Sequence, residues 1–408
     1  MSDTENLVII GAGHAAGQLV ASLKQHSYPG HITLVGEEAS LPYQRPPLSK
    51  KFLAGQLDAD RLLVKPAPFY EHVTTKLGVT AERIDGSSRQ VLLDTGETLP
   101  FDKLVLSLGS QPRRLPLPGG ELSGIAYLRS IADVQAIRDS LEGGRRVAIV
   151  GAGYIGLETA AVLQGMGFDV TVIEAMDRVM SRVVSPAVSA FYERLHRNHG
   201  VNLLLGTGIE SFTGANRVDG VRLADGTEMP ADTVIVGVGV SPNVALAEQL
   251  GLDIDDGIVV DSRCRTSLPG VFAIGDCTNH PNPVYNRNLR LESVQNALEQ
   301  AKTAAANLCG VAAEYGEVPW FWSDQYDVKL QIAGLSSGHD QTIVRGDPDN
   351  GAFACLYLRE GVLIALDAVN SPRDFMQAKP LIANQAQLDG QLAADPERPL
   401  KETLRPEG

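Results

Sequence analysis

The chain has 408 residues, of which 44% are hydrophobic and 21% are charged, and its formal net charge is −14. A chain of this length is too long for a single hydrophobic core, so we expect two or three domains. The negative charge disfavours nucleic acid and anionic membranes as general partners, and no run reaches the roughly 18 apolar residues of a membrane-spanning helix.

The first predicted element is an apolar strand at residues 7–10, which enters a glycine-rich turn and then an Ala/Leu-rich helix. Before this strand the sequence has no basic region typical of a targeting peptide, so we expect a cytoplasmic location. Gly11 permits a tight turn, and Gly13 lets the backbone approach a pyrophosphate, which the N-terminus of the helix stabilises. Ala16 stands where a third glycine is usual and still allows close packing of helix on strand. The pattern predicts a dinucleotide site.

A second strand, at residues 31–36, leads directly to Glu37 and Glu38. An acidic side chain at the end of this strand accepts hydrogen bonds from the ribose hydroxyls of a bound dinucleotide. For any one such glutamate taken alone, the alternative is a solvated side chain that ends a strand and binds no ribose.

The same arrangement recurs further along the chain, where the strand at residues 146–150 enters a second glycine-rich turn. The strand at residues 170–173 then leads to Glu174, which occupies the ribose-binding position of this copy. Two such motifs in register predict two dinucleotide sites. We assign the nicotinamide cofactor to Gly151, Gly153, Ile155, Gly156, Glu174 and Gly239.

A third motif distinguishes FAD from a second nicotinamide dinucleotide. The apolar run at residues 271–274 delivers Gly275 and Asp276. The Asp276 carboxylate can accept a hydrogen bond from a ribityl hydroxyl, a group found on flavin and absent from nicotinamide dinucleotides. A strand followed by an ordinary Gly-Asp turn is the alternative.

The positions of Pro/Gly-rich stretches predict the domain organisation. Pro/Gly-rich stretches at residues 111–120 and 239–243 bracket the second unit as though it were inserted into the first. Beyond residue 319, runs at 341–345, 353–358 and 362–366 read as antiparallel strands. We predict an α/β protein with two Rossmann-like domains and a C-terminal α+β interface domain. The FAD domain comprises residues 1–112 and 243–318, the NAD domain 113–242, and the interface domain 319–408.

The four cysteines are scattered without a C-x-x-C pair, which argues against a redox dithiol, a zinc ribbon, an iron–sulfur centre or another metal site. No cysteine lies between residues 38 and 60, where a disulfide reductase would carry a thiol for the flavin. A flavin accepts a hydride and releases electrons singly, so a one-electron metalloprotein is the natural acceptor. The cysteines are Cys264, Cys277, Cys309 and Cys355.

Segments at residues 45–50, 153–158, 292–297 and 320–325 resemble putidaredoxin reductase and related ferredoxin reductases of bacterial oxygenase systems, within the glutathione reductase superfamily. The resemblance implies NADH-dependent reduction, through FAD, of a 2Fe–2S ferredoxin that serves a cytochrome P450 or a ring-hydroxylating dioxygenase. Residues 107–109 are Ser-Leu-Gly, where the superfamily usually has Ala-Thr-Gly. The resemblance and the motifs together assign FAD to Gly11, Gly13, Ala15, Ala16, Glu37, Arg45, Lys50, Arg129, Asp276, Val294 and Trp322.

Three side chains are singled out for the chemistry. Lys50 follows a Pro-Pro pair, which fixes an extended backbone before it. This backbone is predicted to direct the Lys50 ammonium towards flavin, and a solvated lysine is the alternative. The carboxylate of Glu158 does not suit a pyrophosphate and is predicted to point towards flavin. The resemblance implies that these two residues pair beside the reactive flavin nitrogen, as catalytic residues. Trp322 is either a core aromatic or a ring against flavin at the acceptor face.

Other functions stay open from the sequence. Rubredoxin reductase, a nitrite-reductase-type electron donor and an NADH oxidase are the closest alternatives, and a redox signalling protein resembling apoptosis-inducing factor is an alternative of another class. We expect a monomer or weak homodimer. We also expect a preference for NADH over NADPH, which the nearby cations Arg178 and Arg182 should weaken. Ferredoxin is predicted to dock near Trp322 on a local basic patch. The candidate cations are Arg287, Arg290, Lys302 and Lys401.

Overall fold

The computed structural model describes residues 5–405 and has a mixed α/β fold. The strands are β1 (Asn6–Ile10), β2 (His31–Gly36), β3 (Thr74–Leu77), β4 (Ala81–Asp85), β5 (Gln90–Leu93), β6 (Thr98–Pro100), β7 (Lys103–Leu106), β8 (Ser110–Pro112), β9 (Ile125–Tyr127), β10 (Arg146–Val150), β11 (Asp169–Ile173), β12 (Asn202–Leu204), β13 (Ile209–Gly214), β14 (Val218–Leu223), β15 (Glu228–Pro230), β16 (Thr233–Val236), β17 (Val240–Pro242), β18 (Ile258–Val259), β19 (Val271–Ala273), β20 (Thr278–Asn282), β21 (Arg287–Arg290), β22 (Trp320–Gln325), β23 (Val328–Gly334), β24 (Gln341–Asp347), β25 (Ala352–Arg359) and β26 (Val362–Val369).

Among residues 5–405 the α-helices are fewer than the strands. They are α1 (His14–Gln25), α2 (Ile131–Leu141), α3 (Tyr154–Gly165), α4 (Pro186–Asn198), α5 (Ala245–Gln249), α6 (Val294–Leu308), α7 (Pro372–Ala383) and α8 (Gly390–Ala394), with short 3₁₀ helices at Pro46–Ser49, Ala59–Leu62, Ala67–Tyr70, Pro348–Asn350 and Leu400–Glu402.

The chain divides into two compact units, each built from separated segments. Unit 1 comprises residues 5–45, Ala59–Gln111 and Ser241–Pro319, and unit 2 comprises Pro46–Asp58, Pro112–Val240 and residues 320–405. This division groups the chain differently from the three predicted domains, whose boundaries stay a prediction.

Unit 1 is organised by a parallel sheet of order β19-β7-β1-β2-β3. Its central strand β1 is a run of aliphatic residues because a parallel sheet covered on both faces buries successive side chains alike. Helices α1 and α6 supply Leu19, Leu23 and Ala301 to the core on one face of this sheet. All five carboxyl ends therefore lie at one edge, where ligands bind in folds of this kind.

Unit 2 contains a second parallel sheet, of order β12-β11-β10-β16-β9, and an antiparallel sheet of order β13-β14-β15. Helix α2 begins at a capping box in which Ser130 and Asp133 satisfy each other's backbone N–H groups. Two Rossmann-like sheets, one in each unit, agree with the sequence prediction.

The C-terminal part of unit 2 is an antiparallel sheet of order β22-β23-β26-β25-β24. The three runs read as antiparallel strands in the sequence are β24, β25 and β26, so that prediction is confirmed. Buried Arg345 on β24 pairs with Asp374 of α7 and donates to the backbone oxygens of Ala393 and Arg398. These bonds fasten the terminal segment to the sheet.

Membrane-spanning helices and clustered metal ligands are both absent from residues 5–405. Among residues 5–405, no helix combines the length and the apolar character that crossing a membrane requires. Within the same range, no group of three or more His, Cys, Asp and Glu side chains is arranged to hold a metal ion.

Candidate functional site

The first candidate site lies where β1 turns into α1 in unit 1. Gly11 has a φ of +100°, and a Cβ atom there would lie 2.2 Å from the backbone oxygen of Ser107, so the position requires glycine. Gly13 is the N-cap of α1, and a Cβ atom on it would meet nothing within 4 Å. Open space beside a helix N-terminus is what a bound pyrophosphate needs.

The motif at Gly275 and Asp276 meets this first turn. Gly275 has a φ of +86°, and a Cβ atom there would lie 3.3 Å from the Cβ of Ala15. Its N–H donates to Oε1 of Gln300 at 2.7 Å, and Oδ2 of Asp276 accepts from the Ser110 hydroxyl at 3.0 Å. Strands β1 and β19 are parallel in one sheet, which brings the two motifs to one edge, as an FAD site requires. Fully buried Ala16 lies inside the helix–sheet packing.

The two glutamates after β2 have different surroundings. Glu38 lies 2.7 Å from the Arg45 guanidinium and accepts from the Tyr43 hydroxyl. Glu37 is exposed at the end of the strand. Glu38 therefore holds Arg45, and Glu37 as the ribose ligand stays a prediction. Val294, the other predicted FAD contact of this unit, is the partly buried first residue of α6.

The second candidate site lies where β10 turns into α3 in unit 2. Gly151 has a φ of +104°, and a Cβ atom there would lie 2.4 Å from the backbone oxygen of Gly237. A Cβ atom at Gly156 would lie 2.1 Å from the backbone oxygen of Gly151, so this third glycine permits close packing of helix on strand. At Gly153 nothing would lie within 4 Å, and Ile155 is 44% exposed.

Glu174 is fixed against this second turn. Its carboxylate accepts from the N–H of Ala152 at 2.7 Å and from the N–H of Met176 at 2.9 Å. Gly239, with a φ of +106° and no atom within 4 Å of a Cβ, follows β16, the parallel neighbour of β10. The turn, the carboxylate and Gly239 therefore share one edge of the sheet, as a nicotinamide dinucleotide site requires.

Arg178, considered in the sequence as a cation near the ribose, is held elsewhere. Its guanidinium donates to the backbone oxygens of Val184 and Ser181 and to the hydroxyl of Ser189, at 2.6–2.9 Å. These bonds commit its donors to the loop after Glu174. Arg182 is exposed.

Lys50 and Glu158 form an ion pair inside unit 2, with Nζ 2.6 Å from Oε2. Glu158, on α3, is 4% exposed, and the Lys50 side chain is 20% exposed. The predicted pairing is therefore present, whereas a position beside the flavin and a catalytic role stay predictions.

Two further donors to this carboxylate were not predicted from the sequence. The hydroxyl of Ser49 donates to Oε2 of Glu158 at 2.5 Å, and the hydroxyl of Ser323 donates to Oε1 at 2.7 Å. Both serines stand in segments that carried the family resemblance, at residues 45–50 and 320–325. Their proximity to Glu158 depends on contacts between segments far apart in the chain, which no local pattern indicates.

Lys50, Arg129 and Trp322 belong to unit 2, whereas the other residues assigned to FAD belong to unit 1. Arg129 lies just before α2, where its N–H donates to the carboxylate of Asp133 at 2.9 Å. Trp322 is partly buried on β22, with its ring 5.7 Å from that of Trp320. Their contacts with FAD stay predictions.

Of the predicted docking cations, Arg290 is the most enclosed. Its side chain is 11% exposed and lies 3.2 Å from Asp256 and 2.5 Å from Glu292. Two carboxylates pair with its guanidinium, and its role in a basic patch stays a prediction. Lys302 on α6 is half-exposed and lies 2.7 Å from Glu299.

The cysteines do not form a thiolate site. Cys264, Cys277 and Cys355 are buried, and Cys309 is partly buried. Burial raises the pKa of Cys277 to about 11 and that of Cys355 to about 12, and it also raises the pKa values of Cys264 and Cys309. Protonated, enclosed thiols are poor nucleophiles and poor electron acceptors.

Comparison with known proteins places this geometry among reductases. Residues 5–301 match the model of the pyridine nucleotide-disulphide oxidoreductases, and residues 320–404 match a model described as reductase C-terminal. The chain is 44% identical to a ferredoxin–NAD(P)⁺ reductase of Sphingomonas sp., over 100% of this chain and 99% of the relative. It is 42% identical to the anthranilate 1,2-dioxygenase system ferredoxin–NAD⁺ reductase component of Burkholderia cepacia, over 97% and 98%.

Among solved structures, the crystal structure of the covalent putidaredoxin reductase–putidaredoxin complex matches with a TM-score of 0.94 at 40% identity. The match covers 98% of this chain and 98% of the other. The whole fold, and not one domain alone, is therefore shared.

Proposed function

The chain belongs to the pyridine nucleotide-disulphide oxidoreductase family, and from that premise we propose that it reduces a 2Fe–2S ferredoxin with NADH and thereby serves an oxygenase. The membership confirms the resemblance seen in the sequence. The protein is an FAD-dependent oxidoreductase that uses NAD(H), as its relatives are.

One observation carries the proposal: each unit contains its own strand–turn–helix cradle with open space at the middle glycine. Gly13 offers this space in unit 1 and Gly153 in unit 2. Asp276, the feature suited to a ribityl chain, lies next to the first cradle, and Glu174 lies next to the second. The residues therefore fit FAD in unit 1 and the nicotinamide dinucleotide in unit 2.

Bound FAD supplies the conversion between a two-electron hydride donor and delivery of single electrons. The chain contributes binding and orientation. The N-termini of α1 and α3 would direct backbone N–H groups towards the pyrophosphates, while Glu37 and Glu174 would accept hydrogen bonds from ribose hydroxyls. We propose that Lys50 and Glu158 act in hydride transfer, since a paired ammonium and carboxylate keep a fixed charge arrangement that water cannot rearrange.

The acceptor follows from the cysteines and from the relatives. A disulfide reductase or peroxidase needs a thiolate for the flavin, and the buried cysteines of this chain have raised pKa values. The relatives from Sphingomonas and Burkholderia are named for ferredoxin, and the second belongs to a dioxygenase system. A ferredoxin of the 2Fe–2S type that feeds an oxygenase is the acceptor we propose. A monomer or weak homodimer in the cytoplasm likewise stays a proposal.

The proposal is tested with purified, FAD-loaded protein, NADH and a panel of acceptors. A 2Fe–2S ferredoxin, a rubredoxin and dioxygen are compared under the same conditions by steady-state turnover. We expect kcat/KM with the ferredoxin to exceed the values with rubredoxin and oxygen by at least roughly a hundredfold, as for a cognate electron carrier. A higher value with rubredoxin or oxygen would replace the proposal by a rubredoxin reductase or an NADH oxidase. Slow turnover with every acceptor would favour a redox signalling protein.

A further inference from the structure

A line of buried hydrogen bonds leads from Glu158 through β22 to α4. Oε1 of Glu158 accepts from the Ser323 hydroxyl at 2.7 Å, and the Ser323 oxygen accepts from Nε2 of Gln325 at 3.2 Å. Oε1 of Gln325 lies 2.8 Å from Nε2 of His196, whose Nδ1 lies 3.2 Å from the Tyr326 hydroxyl. The line joins five side chains and belongs entirely to unit 2.

The charge on Glu158 fixes the direction of every bond in this line. An ionised carboxylate accepts only, so the hydroxyl hydrogen of Ser323 points at Glu158 and its oxygen must accept from Gln325. Gln325 therefore presents its NH₂ group to the serine and its oxygen to the histidine. It follows that His196 carries its hydrogen on Nε2 and accepts on Nδ1 from the Tyr326 hydroxyl.

The interior links of this line are closed to water. Ser323, Gln325 and His196 are each 0% exposed. Burial lowers the pKa of His196 to about 4, so the ring stays neutral and keeps its single hydrogen near neutral pH. A neutral histidine is necessary because an imidazolium has no acceptor for Tyr326.

The outer end of the line is set by the turn between β22 and β23. Tyr326 has a φ of +56°, a conformation that residues other than glycine seldom adopt. Its ring stacks on exposed His199 with centroids 3.7 Å apart, while its hydroxyl reaches His196. The turn thus delivers the first donor of the line from a partly buried position.

We propose that Ser323, Gln325 and His196 are positioning residues for flavin reduction, which hold the Glu158 carboxylate oriented through this one-directional line. The inference rests on the role proposed for Lys50 and Glu158 in hydride transfer. Hydrogen bonds that polarise one another in sequence strengthen the last bond, which is made to the charged group. Lys50 and Ser49 occupy Oε2, so the line is what fixes Oε1.

The consequences differ along the line. Ser323→Ala removes the donor to a buried charge, so the limiting rate of flavin reduction by NADH should fall roughly tenfold. Ser323→Thr keeps a hydroxyl and should restore the rate. Tyr326→Phe removes the most distant donor and should cost about twofold. Ser140→Ala is the matched control, because Ser140 is a buried serine of unit 2 whose hydroxyl bonds to Thr233 and not to this line.

The pH profile separates positioning from a general structural effect. With one donor to the carboxylate removed, the pH dependence of the reduction rate of Ser323→Ala should differ from that of the parent. The Ser140→Ala profile should match the parent. The other titratable or charged groups around the line, which both variants retain, are Lys50, Tyr154, Tyr192, His196, His199, Asp324 and Asp367.

The test combines stopped-flow reduction of these variants with ¹⁵N-histidine NMR of the FAD-loaded protein. The spectra should show His196 as the neutral Nε2–H tautomer, with a shifted Nδ1 resonance in Tyr326→Phe. An Nδ1–H tautomer would overturn the line. Ser323→Ala behaving as Ser140→Ala in rate and pH profile, while Glu158→Gln slows reduction, would overturn the positioning role alone. Parental reduction by Glu158→Gln would overturn the role of the ion pair itself, and the inference with it.

Discussion

The ammonium of Lys50 lies 2.6 Å from the carboxylate of Glu158, although the two residues are 108 positions apart in the chain. The contact exists because the segment Pro46–Asp58 packs in unit 2 with α3. Arg138 of α2 helps to hold this segment, donating to the backbone oxygen of Leu53 at 3.3 Å and lying over the ring of Phe52. Fixing the backbone just after Lys50 limits the freedom of its side chain.

The first prediction concerns the two members of this pair. Glu158→Gln and Lys50→Met should each slow reduction of FAD by NADH by roughly tenfold or more, because the remaining partner loses its fixed counter-charge. Lys50→Met should also destabilise the protein by about 3 kcal/mol, since it leaves a buried carboxylate without its cation. Stopped-flow absorbance of the flavin and urea unfolding measure the two effects.

Lys51→Met is the control for this pair, because the neighbouring lysine is exposed and is placed in no site. It should retain the parental reduction rate and stability. If Glu158→Gln and Lys50→Met reduce as fast as Lys51→Met, the pair has no part in hydride transfer.

The glycine turns could be predicted from the sequence because each one is local. A strand, a turn with glycine at fixed spacing and a helix are neighbours in the chain, so Gly11 and Gly151 indicate their own conformation. Ser323 could not be predicted in the same way. Its bond to Glu158 spans 165 positions and forms only when β22 packs on α3. The ion pair of Arg290 with Asp256 could not be predicted for the same reason, because Asp256 lies in a distant loop.

The second prediction concerns the choice between nicotinamide cofactors. Glu174 is fixed by two backbone N–H groups, and a 2′-phosphate beside it would meet a like charge. At about 4 Å and an effective dielectric constant near 20 the repulsion approaches about 4 kcal/mol, so we expect NADH to be preferred by at least roughly a hundredfold in kcat/KM. Glu174→Ala should bring the kcat/KM values for NADH and NADPH closer together.

Glu37→Ala is a matched control for Glu174→Ala, because it removes the corresponding carboxylate of the FAD cradle. It should weaken FAD retention and leave the ratio between NADH and NADPH unchanged. Equal kcat/KM values for the two cofactors in the parent protein would show that Glu174 does not set the preference.

The third prediction concerns stability and pH. Burial raises the pKa of Asp367 to about 7, although its bonds with Tyr357 and Ser185 act in the opposite direction. The folded state therefore binds a proton more tightly than the unfolded state between about pH 4 and pH 7, so this group's contribution to stability falls as pH rises through that window. Asp367→Asn should remove this loss. Between about pH 5 and pH 8, the free energy of unfolding of Asp367→Asn should rise by about 3 kcal/mol relative to that of the parent.

Urea unfolding of both proteins at the two pH values measures this difference. The histidines act with the opposite sign, because burial lowers the pKa values of His196 and His280 to about 4 and stability is lost as pH falls towards that value. Both proteins contain these histidines, so their effect cancels in the comparison. A constant difference between Asp367→Asn and the parent at all pH values would show that the carboxyl does not titrate in this window.

The fourth prediction concerns ferredoxin docking. Lys302 is half-exposed, and its pair with Glu299 is a surface pair of little strength, so its charge remains available to a partner. Lys302→Glu should raise the apparent KM for ferredoxin about threefold or more at low salt, because attraction becomes repulsion. Turnover with a small artificial acceptor should not change.

Arg290→Ala provides the contrast, since its enclosed guanidinium should affect stability more than the KM for ferredoxin. Ferredoxin reduction by the parent should slow between about 0.05 and 0.3 M salt, over which exposed charges become screened. If the rate of ferredoxin reduction changes neither with salt nor in Lys302→Glu, ferredoxin docks on other residues.

The most direct test of the account is an anaerobic titration of the FAD-loaded protein and a 2Fe–2S ferredoxin with NADH. A hydride carries two electrons and the ferredoxin takes one, so each NADH should reduce two ferredoxins. Omitting the reductase should abolish ferredoxin reduction. A flavin that is fully reduced by NADH while the ferredoxin stays oxidised would contradict the account.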